Sequence, residues 1–391
     1  MSKAAKEIAK EERETTHSGS AAIPELPALG FRNYWYPIIE ARRVGRRPIP
    51  VRILGEDIVL FPGKGGKVAA LLDRCPHRGT MLSRGRILFP GTLSCGYHGW
   101  TYNEQGECVA AIVEGPESRL PGQVRVRAYP TEERFGIVWA FMGEGEPPPL
   151  AEDLPPEVLE PNVLPLFFFE EWKCDWRNIT ENIIDSAHPA MVHRTSFNSL
   201  FQEFPACATK YPAELLPDGK GVVSKATGVR MQAEYPGLGK FPARYWWRVI
   251  KVVSGAMSSG LVMRMPGYVV VKRRDPYFGI WQSNWQWPFP VDEHRARILL
   301  FTITHPKSLI SRLALKLLWW IYHKPSRVQF VRQDRYQLEP QNYRNPERLS
   351  PASDSGVILF RNYAAKFARK PGSTKGPTSA GEVDENSSPK A

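Results

Sequence analysis

The sequence predicts an α+β protein built as a small all-β domain followed by a larger mixed domain. Three observations carry this. First, between Tyr34 and Met142 the short apolar runs Val51–Leu54, Ile58–Phe61 and Val68–Leu72 are separated by turn signals such as Pro62-Gly63-Lys64-Gly65-Gly66 and Asn103-Glu104-Gln105-Gly106. Second, Gly143 to Pro155 (GEGEPPPLAEDLP) is a Pro/Gly-rich break. Third, beyond it the strand-like runs Tyr245–Val253, Tyr268–Lys272 and Ala296–Ile303 lie between two helical stretches, Asn178–Val192 and Leu309–Glu339. Strands bracketed by helices imply a sheet with its helices segregated. The expected organisation is a disordered polar N-terminus at 1–28, a β domain at 29–150, a second domain at 151–369 and a disordered Gly/Ser/Pro/Lys-rich tail at 370–391.

Composition sets the outer limits. An apolar fraction of 42% and a charged fraction of 24% are those of an ordinary globular chain with room for real cores. Twelve tryptophans and eighteen phenylalanines imply an aromatic-rich interior, either a large core or a pocket for an apolar ligand. The net charge is +12, but lysines and arginines are spread among acids without a run. That favours a solvated basic surface, able to steer an acidic protein partner, over nucleic-acid binding. The five cysteines, Cys75, Cys95, Cys108, Cys174 and Cys207, make an odd set with no disulfide-like pattern, which fits a reducing, cytoplasmic setting. Met1 to Gly30 has no apolar core, so a secretory signal is not expected there.

The β domain carries the strongest chemical signal. Cys75-Pro76-His77-Arg78-Gly79 and Cys95-Gly96-Tyr97-His98-Gly99-Trp100 each pair one cysteine with one histidine. A [2Fe–2S] cluster with two thiolates on one iron and two imidazoles on the other uses this donor set, at a higher potential than a four-cysteine cluster. A structural Cys2His2 zinc site uses the same four residues, but common zinc spacings group the cysteines together and the histidines together. Alternation favours the cluster, held by Cys75, His77, Cys95 and His98. Gly79, Gly96 and Gly99 allow backbone to approach it closely.

A second constellation lies in the next domain. Asp185, His188 and His193 fall within Glu181–His193. Asp185 and His188, three apart, would share one helix face. His188 and His193, five apart, would be splayed by a straight helix, but Pro189 should bend or break it and bring both imidazoles towards one point. Two histidines and a carboxylate with open positions form the facial triad of non-haem Fe(II) chemistry. The carboxylate should come from elsewhere. Asp334, on a helix expected from about Arg327, is the preferred choice, with Glu339 and Asp292 as alternatives. Asp334 has a plain reading too, as a solvated helix acid paired with Arg335 or Arg327.

Leu309 to His323 (LISRLALKLLWWIYH) reads as an amphipathic helix, too short to cross a bilayer and carrying Arg312 and Lys316. Docking on the protein core is its expected role, and contact with a membrane surface is the alternative. No dinucleotide-binding Gly-rich fingerprint occurs.

Over residues 31 to about 342 these motifs together resemble the Rieske non-haem iron oxygenases, α subunits of aromatic-ring-hydroxylating systems. The likeness includes Gly30–Pro37, the four Cys/His positions, Asn182-x-x-Asp185-x-x-His188-x4-His193 and Gln333-Asp334. The Asn-x-x-Asp-x-x-His form is similar to single-subunit-type members such as O-demethylases, and the opening and the 143–155 break are similar to carbazole-type dioxygenases. The resemblance implies a Rieske β domain and a helix-grip-like catalytic domain with a curved antiparallel sheet, assembled as a head-to-tail homotrimer. It also implies a [2Fe–2S] cluster, a mononuclear Fe(II) held by His188, His193 and Asp334, and a catalytic Asp185 linking His98 of the next subunit to His188. Electrons would come from NAD(P)H only indirectly, through a separate ferredoxin or reductase. The expected reaction is hydroxylation or oxidative dealkylation of an apolar, aromatic substrate with O2. The competing readings are a non-catalytic Rieske electron carrier and a structural zinc or nucleic-acid-binding protein. The apolar Leu309–His323 helix is a departure from typical ring dioxygenases.

Overall fold

The computed structural model describes residues 23–193, 210–225, 260–274 and 281–370. The expectations for the first 22 residues, for Tyr245–Val253, for Cys207 and for the tail from 371 onward lie outside these.

The first domain is built from three small antiparallel sheets. Tyr34–Glu40 pairs with Ile137–Met142, which pairs in turn with Thr131–Arg134. Ile137–Met142 is buried on both faces, so its apolar run is continuous rather than alternating. A second sheet orders Ile49–Ile53, Glu56–Pro62, Val68–Leu72 and Ala128–Tyr129. The hairpin between its first two strands turns at Leu54-Gly55, both at positive φ (50° and 77°), the twist a two-residue hairpin needs. Leu54, expected in a strand, is therefore in the turn. The third sheet, Leu93–Ser94, Trp100–Tyr102 and Cys108–Ala111, closes a separate small core around Cys75 and Cys95.

The second domain is an antiparallel seven-stranded sheet. From one edge it runs Leu164–Trp172, Arg295–Thr304, Trp281–Asp292, Tyr268–Arg274, Leu261–Arg264, Val222–Ser224 and Ala213–Leu215. Its helices are α1 (Trp176–Ile184) and the single turn α2 (Pro189–Val192), inserted after the first strand, and α3 (Leu309–Leu318), α4 (Lys324–Leu338) and α5 (Ser355–Phe367), after the last. Asp175 caps α1 by accepting from Arg177 N–H. A π-helical segment, Trp319–His323, joins α3 to α4 and sits just before Pro325, which has no N–H to offer the preceding turn. So the helix of Asp334 starts at Lys324, not near Arg327. α5 has no counterpart among the elements expected from the sequence.

One apolar core runs through both domains. Trp139 of the first packs on Trp287 of the second with ring centroids 5.2 Å apart, and Tyr36 packs edge-on to Phe289. Among the described residues the large aromatics therefore serve mostly as core: Trp139, Trp176, Trp285 and Trp287 are fully buried. The Pro/Gly-rich segment is strapped into this core rather than slack. Leu150 and Leu154 are buried, and Asp153 pairs with Arg369 at 2.7 Å, both side chains buried. Asp153 also accepts from Trp35 N–H, and Arg369 donates to the Asn33 carbonyl. Burial pushes the Asp153 carboxyl up to about 6 against the opposing pull of Arg369. The chain after α5 is thus fastened to the start of the first domain. A second buried cluster ties α5 to α1: Arg361 donates to Glu181 and Glu347, and Tyr343 donates to Glu181.

Candidate metal centres

The two Cys/His loops repeat one backbone frame. Cys75 N–H donates to Thr80 O and Cys95 N–H to Trp100 O, both at 2.8 Å. Gly79 N–H and Gly99 N–H donate back to the cysteine carbonyls at 2.9 and 3.1 Å. Closing so tight a loop puts both glycines at positive φ (74° and 68°), where a side chain would be strained. Gly96 has a different reason to be glycine: a Cβ there would lie 2.8 Å from the Arg84 carbonyl.

The frame turns the two residue types in opposite directions. Cys75 and Cys95 are buried, whereas His77 is exposed and His98 half-buried. The imidazoles meet edge-on, 4.6 Å between ring centroids. His77 stacks on Trp100 at 4.4 Å, and His98 lies against Tyr97 at 3.9 Å. Burial pushes the Cys75 thiol up, the neighbouring Cys95 adds to the rise, and Tyr102 Oη, 3.3 Å from Cys75 Sγ, opposes it. Buried sulfurs on one side and outward imidazoles on the other suit a two-iron group ligated asymmetrically. A hydrogen bond to a thiolate favours the more negative, reduced state. The Tyr102→Phe variant should therefore show a lower reduction potential by some tens of millivolts, about 1 kcal/mol for a one-electron couple, in a redox titration of the visible spectrum.

The second constellation converges on one point. His188 Nε2 lies 3.5 Å and His193 Nε2 3.1 Å from the same oxygen, Asp334 Oδ1. Among the described residues this trio is the group of three side chains whose ligand atoms all fall within 4.8 Å of one another. His193 and Asp334 are buried, and Asp334 Oδ1 accepts no hydrogen bond. A buried carboxylate oxygen without a donor, facing two imidazole nitrogens, has the donor chemistry of a divalent metal site. The other nitrogens of the two rings differ: that of His193 is hydrogen-bonded, and that of His188 lies near a carboxylate without a hydrogen bond to it. His193 Nδ1 donates to Gln333 Oε1 at 3.1 Å, and His188 Nδ1 faces Asp185 Oδ2 at 3.4 Å. Phe330 stacks on His193 with centroids 3.5 Å apart. Gln333 was a motif position in the sequence with no role attached; its place beside Asp334 on α4 gives it one. In the Gln333→Leu variant, metal affinity should fall about tenfold, read by competition with a chelator.

Two expectations are corrected in detail. Asp185 and His188 do not share a helix face. α1 stops at Ile184, Asp185 is extended (φ −69°, ψ 116°), and a new turn begins at Pro189. The pair meets because Asp185 folds over the break, accepting from Ala187 N–H at 2.6 Å and His188 N–H at 3.2 Å. Nor is Asp334 a solvated acid paired with an arginine. Arg335 pairs with Glu339 at 2.9 Å, and Arg327 donates to Thr302 Oγ1 and the Trp285 carbonyl. The other two carboxylate candidates are engaged elsewhere: Glu339 with Arg335 and Lys173 N–H, Asp292 with Arg295. Those neighbours hold both carboxyls below the usual range.

With both sites in view, the comparisons agree on the class. Residues 34–130 match the Rieske [2Fe-2S] domain, and residues 141–299 match the homotrimeric ring hydroxylases. The chain thus carries a Rieske domain followed by a ring-hydroxylase α domain. It is similar to the terminal oxygenase component of carbazole 1,9a-dioxygenase from Sphingomonas sp, 40% identical over 170 residues, which are 43% of this chain and 44% of that one. It is also similar to 4beta-methylsterol monooxygenase from Methylococcus capsulatus, 35% identical over 181 residues, 42% and 48% of the two chains. The chain thus spans less than half the length of these curated relatives. Among solved structures, the terminal oxygenase of carbazole 1,9a-dioxygenase from Novosphingobium sp. KA1 superimposes with a TM-score of 0.73 at 26% identity, covering 92% of this chain and 98% of that one.

Proposed function

We propose that this chain is the terminal oxygenase component of a system that hydroxylates or oxidatively dealkylates an apolar, aromatic substrate with O2. The observation that carries the reading is the meeting of His188, His193 and Asp334 at one point, in a chain whose first domain sets two cysteines against two histidines. The names of the relatives, dioxygenases and monooxygenases, support it. Electrons would come from a separate ferredoxin or NAD(P)H-dependent reductase. Solved relatives in complex with ferredoxin support that partner. The working form would be a cytoplasmic homotrimer, with the Rieske domain at 29–150 and the catalytic domain at 151–369.

In this reading Cys75, His77, Cys95 and His98 hold the cluster, and His188, His193 and Asp334 hold the mononuclear iron. Bound at these sites, the two groups supply one-electron transfer and dioxygen activation. The chain's own residues do the rest. Burial of Cys75 and Cys95 keeps water from the sulfurs, while outward His77 and His98 offer the edge nearest a partner. Gln333 keeps the His193 proton on Nδ1, leaving Nε2 as a lone-pair donor. Asp185 Oδ2, 3.4 Å from His188 Nδ1, would favour the same tautomer at His188 once the two draw together.

The deciding measurement is metal content with the visible spectrum. About three irons per chain, iron–sulfur absorption and substrate-dependent oxygen uptake are expected. About one zinc per chain without visible absorption would sink the reading. A panel of aromatic and methoxy-aromatic compounds, scored for coupled oxygen uptake, would narrow the substrate class.

A further inference from the structure

The helical arm before the Asp334 helix has two unlike faces. Leu315 and Trp319 are buried, the first beside Leu164 and the second against Phe168. The arm does dock on the core, as expected, but through these two side chains and not through its main apolar face. Its other face is open and apolar: Leu309, Ile310, Leu313, Leu317, Trp320 and Ile321 are 59–81% exposed. At about 100° per residue Leu309, Ile310, Leu313 and Leu317 fall within about one third of the circumference of α3, opposite Leu315, and Trp320 and Ile321 extend the exposed stripe into the π-helical segment. So large a contiguous apolar stripe is unusual on a surface that meets only water.

What borders the stripe indicates its partner. Lys307, Arg312, Lys316 and Lys324 flank it, and Lys324 Nζ sits 4.5 Å from the Trp320 ring centroid. Among the described residues, Lys307, Arg312 and Lys316 take part in no ion pair. From His294 to Gln333 there is no Asp or Glu at all, in a chain that averages about one acid in ten residues (40 in 391). A second copy packed with this same face inward would bring Lys307, Arg312 and Lys316 against their own counterparts, and the acid shown near this arm, Glu160, is already beside His305 at 3.6 Å. An anionic lipid surface meets both features at once. Acyl chains receive Leu, Ile and Trp, and headgroups receive the flanking cations. Among the described residues no helix is long and apolar enough to cross a membrane, so the arm would lie in the interface plane.

We propose that the Leu309–His323 arm is a monotopic docking element for an anionic bilayer surface. The proposal is independent of the oxygenase reading, because it is measured without turnover. The full-length protein is mixed with vesicles of phosphatidylcholine containing about one quarter phosphatidylglycerol, and with pure phosphatidylcholine vesicles, then sedimented. The wild-type protein should pellet with the anionic vesicles, and less so at high salt. An Ile310→Glu/Leu317→Glu variant should bind at least about tenfold more weakly. A Lys316→Glu variant should lose about fivefold or more while leaving the apolar stripe intact. Light scattering should give the same molecular mass for all three proteins. No sedimentation of the wild type, or unchanged sedimentation of both variants, would overturn the proposal. So would a change of mass in the double variant, which would make the face an interface between copies of the chain.

Discussion

In the Asp334→Ala variant, iron should fall by about one atom per chain while the cluster absorption stays, and substrate-dependent oxygen uptake should drop to background. The loss of metal affinity should exceed the ~10–100-fold typical of an outer-shell change, because on the proposed assignment a direct ligand is removed. The physical ground is the isolation of Asp334 Oδ1. It is buried, accepts no hydrogen bond, and faces two imidazole nitrogens at 3.1 and 3.5 Å. The nearby arginines point to other acceptors. A carboxylate so placed is costly to bury unless a cation joins it. The alternative to a metal cation is a protonated histidine, and the two cases separate cleanly. If Asp334 were only an anion for imidazolium, its removal would leave the iron count alone and lower stability. As a metal ligand, its replacement by Asn should remove the iron, yet the metal-free variant should melt no lower than metal-free wild type. Metal analysis and thermal melts on the same preparations check both.

The fold was legible where the sequence pattern was local. Val68–Leu72 is a strand with the expected ends, and Pro189 marks the start of a new turn after a break. The four Cys/His positions stood out because two short loops repeat the same residue types. What was not legible depended on distant contacts. Nothing in GEGEPPPLAEDLP shows that Asp153 pairs with Arg369, over two hundred residues away, so the segment read as a linker. α5 went unseen, although Asp354 precedes an apolar run; its buried Arg361 looks like a surface residue until Glu181 and Glu347 are beside it. The choice among Asp334, Glu339 and Asp292 could not be made on spacing. It turns on burial, and burial is a property of the assembled sheet and helices. The helical arm shows the same limit. Its periodicity announced two faces, but only the docked structure tells that the apolar side is the one left outside.

Replacing Asp185 with Asn or Ala should leave both iron sites filled and cut turnover by at least about 10–100-fold. The expectation rests on how fully Asp185 is used. Oδ1 accepts from Ala187 N–H, and Oδ2 accepts from His188 N–H and faces His188 Nδ1. Asparagine keeps the shape but has only one oxygen, so its NH2 must be turned towards a donor that needs an acceptor. Either the backbone break after α1 or the ring of His188 loses its partner. The ring is the one free to respond, and an imidazole no longer held by a carboxylate is both less basic and less fixed in tautomer. Metal binding should survive, since His188 Nε2, His193 and Asp334 are untouched. If Asp185 also lies on the electron path from a neighbouring subunit, chemically reduced cluster should still form in the variant while its reoxidation during turnover slows. Stopped-flow absorbance of the cluster, followed beside iron content, distinguishes the outcomes. Loss of the mononuclear iron would make Asp185 a structural support for the site, whereas retained iron with a stalled cluster is the signature of a residue that couples the two centres.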